Sequence, residues 1–360
     1  MKYALNIGSP FGIRISIHWT FLLLIAWIVI VDLQRGMDLE QILMSILFII
    51  VLFICVILHE LGHSLAARRY GSDVRSITLL PIGGMANITK IPEKPGEELV
   101  VSVAGLIVNV IIAALIWAIL TITTGGIELE RIDITAITGK NFFVMLMGVN
   151  ILLVVFNLIP AFPMDGGRIL RAFLSFKMDR VRATNVSKTI GQLFAVGFMI
   201  LGIFVNPFLI IIGIFVFIGA NAEYQMVKFG SALHNFKVED VLITDFMTIG
   251  PGETIAEAAD LLVHHRGNAF IVMSDDKMEG ILTKDDIIRG ITEYGLNGRV
   301  KEVMTTGVFT VDKQSPLNEV FQEMQQKRYA IVPVIFEGKI IGVIELENLN
   351  EFMRIQNALH

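Results

Sequence analysis

The first two thirds of the chain consist of long apolar stretches separated by short polar segments. Six of these stretches are long and apolar enough to be membrane spans, because crossing the hydrocarbon core of a bilayer takes about 20 mostly apolar residues. They are residues 15–33, 41–65, 99–122, 142–158, 190–205 and 208–227. The pattern therefore predicts an α-helical polytopic membrane domain of six transmembrane helices over residues 1–228.

The last third of the chain has a different pattern and contains an internal repeat. The segment that begins at Val241 is echoed by the one that begins at Val300. Each is followed by an amphipathic helical stretch, two short apolar strands and a final short helix. Short strands between amphipathic helices are typical of α/β domains. We therefore expect a linker at residues 229–237, followed by two copies of one α/β domain at residues 238–298 and 299–360.

The composition narrows the class of protein. The 360 residues are 54% hydrophobic and 18% charged, whereas soluble domains carry about 25% charged residues. The single cysteine, Cys55, excludes an intramolecular disulfide and a cysteine-based zinc finger. The formal net charge of −5 argues against nucleic acid as a partner. The partner that this composition does indicate is the lipid bilayer.

Basic residues are distributed unevenly between the two sides of the predicted membrane domain. The N-terminal tail and the loops at residues 68–98 and 168–188 carry thirteen Lys and Arg residues. The loops on the other side carry three, which are Arg35, Arg131 and Lys140. Loops rich in Lys and Arg stay in the cytoplasm. We therefore expect a multi-pass protein of the cell membrane, with both termini and the acidic C-terminal repeat in the cytoplasm.

The second apolar stretch ends in an H-E-x-x-H motif at residues 59–63. Residues four apart on a helix share one face, so His59 and His63 can both point an imidazole at one zinc ion. Glu60 can take a proton from a water molecule that such an ion activates. Polar groups at this depth indicate a functional site, because each charged residue costs roughly 2.5–3.5 kcal/mol on insertion.

A hydrolytic zinc site takes a third protein ligand, and Asp165 is the best candidate for it. Asp165 follows Pro160 and Pro163, which cannot continue a helix, so the chain is predicted to unwind before it reaches Asp165. Non-helical backbone at this depth is tolerated where it is buried in protein or lines a wet cavity. Glu98 and Glu223 lie at the ends of apolar stretches and are interpreted as interfacial residues.

Together these motifs resemble those of the site-2 protease family of intramembrane zinc metalloproteases. H-E-x-x-H at residues 59–63 and N-x-x-P-x-x-P-x-D-G at residues 157–166 both match in full. The resemblance implies that His59, His63 and Asp165 hold one zinc ion. It also implies that Glu60 is the catalytic base and that Asn157 lies near the oxyanion.

Two further segments of the membrane half are similar to family features. Residues 104–109 resemble an A-G-P-x-x-N motif, but Leu106 replaces the proline, which affects local helix shape rather than chemistry. Residues 80–86 are too short to cross a bilayer and too rich in Gly and Pro for a helix. A comparable segment of the family is a re-entrant β-structure beside the active site, whose edge could receive an unwound substrate strand. An ordinary loop is the alternative.

The C-terminal repeat resembles a tandem pair of CBS domains, a module that binds adenine nucleotides and regulates attached enzymes or transporters. The signature Gly-h-h-Thr/Ser-x-x-Asp, in which h is a hydrophobic residue, is complete at residues 280–286. By this resemblance the Thr283 hydroxyl faces phosphate and the Asp286 carboxylate holds ribose. The second copy has Glu345 and Asn348 instead, so one site for ATP or AMP is expected. The alternative is that Thr283 and Asp286 form only a helix cap in a dimerisation scaffold.

These features favour an intramembrane zinc endopeptidase that cleaves the transmembrane segments of protein substrates and is modulated by its CBS pair. A homo-oligomer through the CBS domains is also expected. The alternative is a CBS-gated transporter or channel in which the H-E-x-x-H motif and Asp165 form an ion path. Such a protein has no reason to combine H-E-x-x-H with a bent N-x-x-P-x-x-P-x-D-G segment. A catalytically inactive scaffold is disfavoured, because every expected catalytic position is occupied.

Overall fold

The computed structural model describes residues 4–72, 74–81, 83–88, 92–124, 137–234, 236–264, 269–275, 277–327 and 329–359. The chain divides into two compact units, Met1–Val227 and Lys228–His360. Ile82 in the 80–86 segment and Arg131 in a predicted loop lie outside the described residues.

The N-terminal unit combines apolar helices with one small sheet. Its described elements are β1 (Ala4–Gly8), β2 (Arg14–His18), α1 (Thr20–Gln34), α2 (Leu39–Arg69), β3 (Val74–Leu80), β4 (Gly83–Ile88), α3 (Pro95–Thr124), α4 (Phe142–Leu158), α5 (Asp165–Ser175), α6 (Arg180–Phe204) and α7 (Phe208–Ala232), the last of which continues into the second unit. Among the described residues, α2, α3, α6 and α7 are long and apolar enough to cross a membrane, while α1 and α4 are shorter apolar helices.

The starts of α1 and α6 differ most from the sequence prediction. Residues 15–18, predicted as the start of the first span, belong to β2, which pairs antiparallel with β1 and parallel with β3. Their alternation of isoleucine with Ser16 and His18 is the period-2 pattern of a strand. Helix α6 begins already at Arg180 rather than near residue 190. The reason is an N-cap, because the Asp179 side chain accepts a hydrogen bond from the backbone N–H of Arg182.

The 80–86 segment is part of a β-hairpin. Strands β3 and β4 pair antiparallel, with Leu80 opposite Gly83, and β4 is an edge strand in the order β1-β2-β3-β4. Gly83 has φ +137°, which L side chains rarely adopt, so glycine permits the tight reversal. The segment is therefore β-structure rather than an irregular loop. Its re-entry into a membrane stays a prediction.

The C-terminal unit repeats one α/β pattern. Its described helices and strands are β5 (Thr248–Ile249), α8 (Ile255–His264), β6 (Ala269–Ser274), β7 (Lys277–Thr283), α9 (Lys284–Tyr294), α10 (Val300–Val303), β8 (Val311–Asp312), α11 (Leu317–Lys327), β9 (Ile331–Phe336), β10 (Lys339–Glu345) and α12 (Leu346–Leu359). The sheets have the orders β5-β6-β7 and β10-β9-β8. Strand β5 pairs parallel with β6, which pairs antiparallel with β7, and in the second sheet β8 pairs parallel with β9, which pairs antiparallel with β10.

The two copies exchange backbone pairing with each other. Ile243 of the first copy exchanges two N–H···O bonds, of 3.0 and 2.9 Å, with Val343 of the second. Thr305 of the second copy exchanges bonds of 2.8 and 3.0 Å with Ile281 of the first. Ile281 and Val343 also lie in an apolar core to which both copies contribute. This reciprocal pairing makes the two copies one folded unit.

The predicted linker at residues 229–237 has a different structure. Helix α7 continues to Ala232, and Leu233 is fully buried in the core of the C-terminal unit. Phe229 packs there against Phe321, with ring centroids 4.4 Å apart, and Phe236 packs against the same core. Phe229, Leu233 and Phe236 thus contribute apolar side chains to the core of the C-terminal unit.

Candidate metal centre

Three buried side chains from two helices converge on one point. His59 and His63 lie on α2, and Asp165 is the first residue of α5. The Nε2 atom of His63 is 3.1 Å from Nε2 of His59 and 3.1 Å from Oδ2 of Asp165. The Nε2 atom of His59 is 3.3 Å from the same Asp165 oxygen. The structure thus brings together the three residues that the sequence suggested as ligands.

The separations of these three atoms fit a metal ion. Two atoms that each lie about 2.0–2.1 Å from a tetrahedrally coordinated zinc ion are about 3.3 Å apart, which is close to the spacing seen here. Two imidazoles and one carboxylate are also a donor set that zinc accepts at catalytic sites, where a further position stays open for water. His59, His63 and Asp165 therefore fit zinc by both chemistry and distance.

The protonation of His63 is fixed by a backbone carbonyl on α3. Its Nδ1 atom lies 2.7 Å from the oxygen of Val101, so the neutral ring donates the Nδ1 proton to that carbonyl. The lone pair is then on Nε2, which faces His59 and Asp165. Metal-binding histidines are held and oriented in this way by hydrogen bonds from their other ring nitrogen.

Glycines allow α2 and α3 to approach closely enough for this contact. A Cβ atom at Gly105 would lie 2.2 Å from Nε2 of His63, and one at Gly62 would lie 3.0 Å from the carbonyl oxygen of Ala104. Gly105 of the 104–109 motif thus makes room for the His63 ring. Leu106, which replaces the family proline, is buried within a helix that continues to Thr124.

Gly105→Ala is expected to weaken zinc binding by at least about tenfold, the lower end of what the loss of a supporting contact costs. The added methyl group would push the His63 ring away from the other two ligands. Competition with a chelator measures the affinity. Gly148→Ala on α4 is the matched control, because a Cβ there meets none of the described residues within 4 Å. An unchanged affinity for Gly105→Ala would contradict the packing described above.

The backbone before Asp165 unwinds as predicted, and the helix resumes at Asp165 itself. Helix α4 ends at Leu158, and α5 begins after an extended N-cap at Met164. The unwound segment folds tightly over the start of α5. A Cβ atom at Gly166 would lie 2.2 Å from the carbonyl oxygen of Ile159, and one at Gly167 would lie 2.6 Å from the backbone nitrogen of Phe162. Both glycines therefore permit the turn that presents Asp165 to α2.

The structure gives Glu60 and Asn157 fewer defined contacts than the three ligands. Glu60 is half-buried, and a Cβ atom at Gly84 on β4 would lie 2.6 Å from its Cγ atom. The edge of the sheet therefore passes directly against Glu60. Asn157 lies in the last turn of α4 and is half-buried. No hydrogen bond of its side chain is present in the part of the chain that the structure describes.

Glu98 and Glu223, interpreted from the sequence as interfacial residues, both pair with Arg171, a residue that no sequence motif singled out. Glu98 is 1% exposed, and it accepts hydrogen bonds from Nε and Nη2 of the fully buried Arg171 at 2.8 and 2.5 Å. Glu223 accepts a third bond, of 2.7 Å, from Nη1 of Arg171. The available signal was a single arginine inside the apolar residues 169–174, since such a charge needs buried partners.

The two signature residues of the first CBS copy form a helix cap. Thr283 is the N-cap of α9, and its Oγ1 atom donates to Oδ2 of Asp286 at 2.7 Å. Asp286 is 6% exposed, and its Oδ1 atom accepts from Arg289 at 2.7 Å. In the second copy, burial and the nearby Glu347 raise the pKa of Glu345. The first copy thus offers a hydroxyl and a carboxylate at the two signature positions, where the second offers the carboxyl group of Glu345 and the amide of Asn348.

Comparison with known proteins adds independent information on both units. The pattern of Peptidase family M50 matches residues 47–201, and that of the CBS domain matches residues 238–293 and 300–354. The zinc metalloprotease MJ0392 of Methanocaldococcus jannaschii is 32% identical over 356 residues, which cover 99% of this chain and 97% of that relative.

Two further similarities cover parts of the chain. The solved structure of the site-2 protease from Methanocaldococcus jannaschii is 35% identical and covers 62% of this chain and 95% of that one, with a TM-score of 0.45. The CBS domain-containing protein YhcV of Bacillus subtilis is 31% identical over 114 residues, which cover 31% of this chain and 81% of that protein.

Proposed function

Because the chain belongs to peptidase family M50, the site-2 protease family of zinc metalloproteases, we propose that it hydrolyses peptide bonds within transmembrane segments of other membrane proteins. The observation that carries the proposal is the convergence of His59, His63 and Asp165 at one point. Two of these residues lie on α2, which is long and apolar enough to span a bilayer. Membership of a protease family leaves the alternative of a CBS-gated transporter or channel without support.

The reaction assigns separate tasks to the residues of the site. A zinc ion held by His59, His63 and Asp165 would activate water and polarise the scissile carbonyl. Glu60 takes a proton from the attacking water and passes it to the nitrogen of the leaving amine as the C–N bond breaks. Asn157 is assigned to the oxyanion, where its side-chain N–H groups could stabilise the developing charge.

The edge strand β4 offers a binding surface for the substrate. A transmembrane helix satisfies its carbonyl groups internally, so a peptide bond becomes open to attack only after the helix unwinds locally. An unwound segment can pair with an exposed sheet edge through backbone hydrogen bonds. Because Gly84 of β4 lies against Glu60, a segment paired along β4 would run beside the catalytic base.

We further propose that α1 and α4 join the four longer apolar helices as six spans, with the CBS pair in the cytoplasm. Support comes from the thirteen basic residues on one side against three on the other. The 15 residues of α1 and the 17 of α4 extend about 22–26 Å at 1.5 Å per residue. Spans of that length fit a locally thinned bilayer.

Regulation by an adenine nucleotide is the proposed role of the CBS pair. Asp286→Ala should weaken the binding of ATP or AMP to the full chain at least about tenfold, since a hydrogen bond to a charged group contributes about 1.5–3 kcal/mol. Isothermal calorimetry in detergent measures this. Glu257→Ala is the matched control, because Glu257 pairs with Thr254 at the start of α8 as Asp286 does with Thr283. The absence of heat with any adenine nucleotide would refute the regulatory role.

Association of two copies through the CBS pair is proposed on the basis of an exposed apolar face. Ile288, Ile291 and Tyr294 recur at helical spacing on α9 and are 56%, 38% and 50% exposed. Val263 on α8 is 80% exposed. Apolar side chains clustered on a surface commonly mark a protein contact, and a homo-oligomer would cover them.

A further inference from the structure

A buried arginine connects α5, which carries Asp165, to α3, whose Val101 carbonyl accepts a hydrogen bond from His63. Arg171 lies on α5 and is fully buried. Its Nε and Nη2 atoms donate to Oε1 of Glu98 on α3, and its Nη1 atom donates to Oε1 of Glu223 on α7. The reaction scheme above uses none of these three side chains.

Both ends of the pair between Arg171 and Glu98 lie close to the metal centre. Asp165 is six residues before Arg171 on the same helix, which corresponds to about 9 Å of helix. Glu98 is one turn before Val101, whose carbonyl holds Nδ1 of His63. The ion pair between Arg171 and Glu98 therefore connects the segment of α5 that begins with Asp165 to the segment of α3 whose Val101 carbonyl orients His63.

Arg171 also contacts the chain that precedes Asp165. Its guanidinium carbon lies 4.9 Å from the ring centroid of Phe162, which is fully buried in the unwound segment before α5. The residues on both sides of Asp165 are thus held by one planar group. Lysine cannot make the same set of contacts, because an ammonium group lacks the fixed fork of donors.

We propose that Arg171 is a positioning residue of the metal centre, which fixes Asp165 relative to His63 by holding α5 against α3. Arg171 stays paired with Glu98 and Glu223, because a buried guanidinium without its carboxylate partners is strongly unfavourable. Without this contact all three ligands remain in the chain, but the distance between Asp165 and the imidazoles is no longer fixed. The inference rests on the metal centre proposed above.

Cobalt(II) in place of zinc tests the inference, because its visible absorption reports the geometry of its ligands. Arg171→Met should weaken cobalt binding about 10–100-fold and reduce the intensity of the visible bands. Arg171→Lys should give a smaller loss of both. Arg182→Met on α6 is the control, since it removes an exposed arginine whose partner is Asp179, and it should bind cobalt as wild type does.

The outcomes separate positioning from a general contribution to folding. A folded Arg171→Met variant with a lower melting temperature but wild-type cobalt affinity and spectrum would overturn the positioning role. If Arg171→Met does not fold, Glu98→Gln keeps the side-chain shape and carries the same expectation of weaker binding and an altered spectrum. Wild-type behaviour of a folded Glu98→Gln variant would overturn the proposal. Failure of the wild-type protein to bind cobalt would instead refute the metal centre itself.

Discussion

Glu60→Gln should reduce cleavage of a transmembrane substrate by at least about 10³-fold, within the range that general acid–base catalysis contributes, while the zinc content stays at one ion per chain. Glutamine keeps the size of the side chain and its packing against Gly84. It cannot take a proton from water or pass one to the leaving amine. The loss is therefore chemical, and the three ligands keep their positions.

Purified protein reconstituted with a membrane substrate provides the measurement, with zinc counted by mass spectrometry on the same preparation. Glu40→Gln is the matched control, because Glu40 is an exposed glutamate in the first turn of the same helix. It should cleave as wild type does. Turnover by Glu60→Gln at the wild-type rate would remove Glu60 from the mechanism.

Asp165→Ala should abolish tight zinc binding, and proteolysis with it. Only the two imidazoles of α2 would remain, and the loss of a direct ligand should exceed the 10–100-fold that the loss of a supporting partner costs. His59→Ala should have the same effect, since both residues approach Nε2 of His63 at 3.1 Å. Zinc affinity measured against a chelator, together with zinc content after dialysis, gives the result.

Asp179→Ala is the control for this pair of variants. Asp179 caps α6, so its removal costs about 0.5–2 kcal/mol of stability without touching a ligand. Zinc retained at wild-type affinity by Asp165→Ala would mean that the third ligand is another residue. The structural interpretation of α5 would then be wrong.

The short motifs that supply the candidate ligands can be identified from the sequence, whereas the packing of residues distant in the chain cannot. His59 and His63 lie one helical turn apart, and two prolines mark the unwound backbone before Asp165, so each half of the site follows from local rules. The need for a third ligand and the unwound backbone made Asp165 the best candidate, and the family resemblance agreed, but its convergence with His63 across 102 residues follows only from the tertiary fold. The reason why Gly105 must lack a side chain became visible only when α3 was packed against α2.

The partners of Arg171 and the strand at residues 15–18 were missed for the same physical reason. Glu98 and Glu223 were interpreted as interfacial because each lies near the end of an apolar stretch. The apolar residues around Arg171 indicated that this arginine needs buried partners, but not that Glu98 and Glu223 are those partners. Residues 15–18 were assigned to a helix because their hydrophobicity continues into α1, although their alternation belongs to a strand. In both cases contacts between separate elements determined the structure, namely the ion pairs of Arg171 and the pairing of β2 with β1 and β3.

We propose that this metal centre cuts peptide bonds inside the bilayer. Mass spectrometry of peptides released from membranes that contain either wild-type protein or Glu60→Gln tests it most directly. We expect products that appear only with wild type and whose new ends lie within hydrophobic transmembrane segments. Equal release by both proteins, or new ends confined to soluble loops, would contradict it.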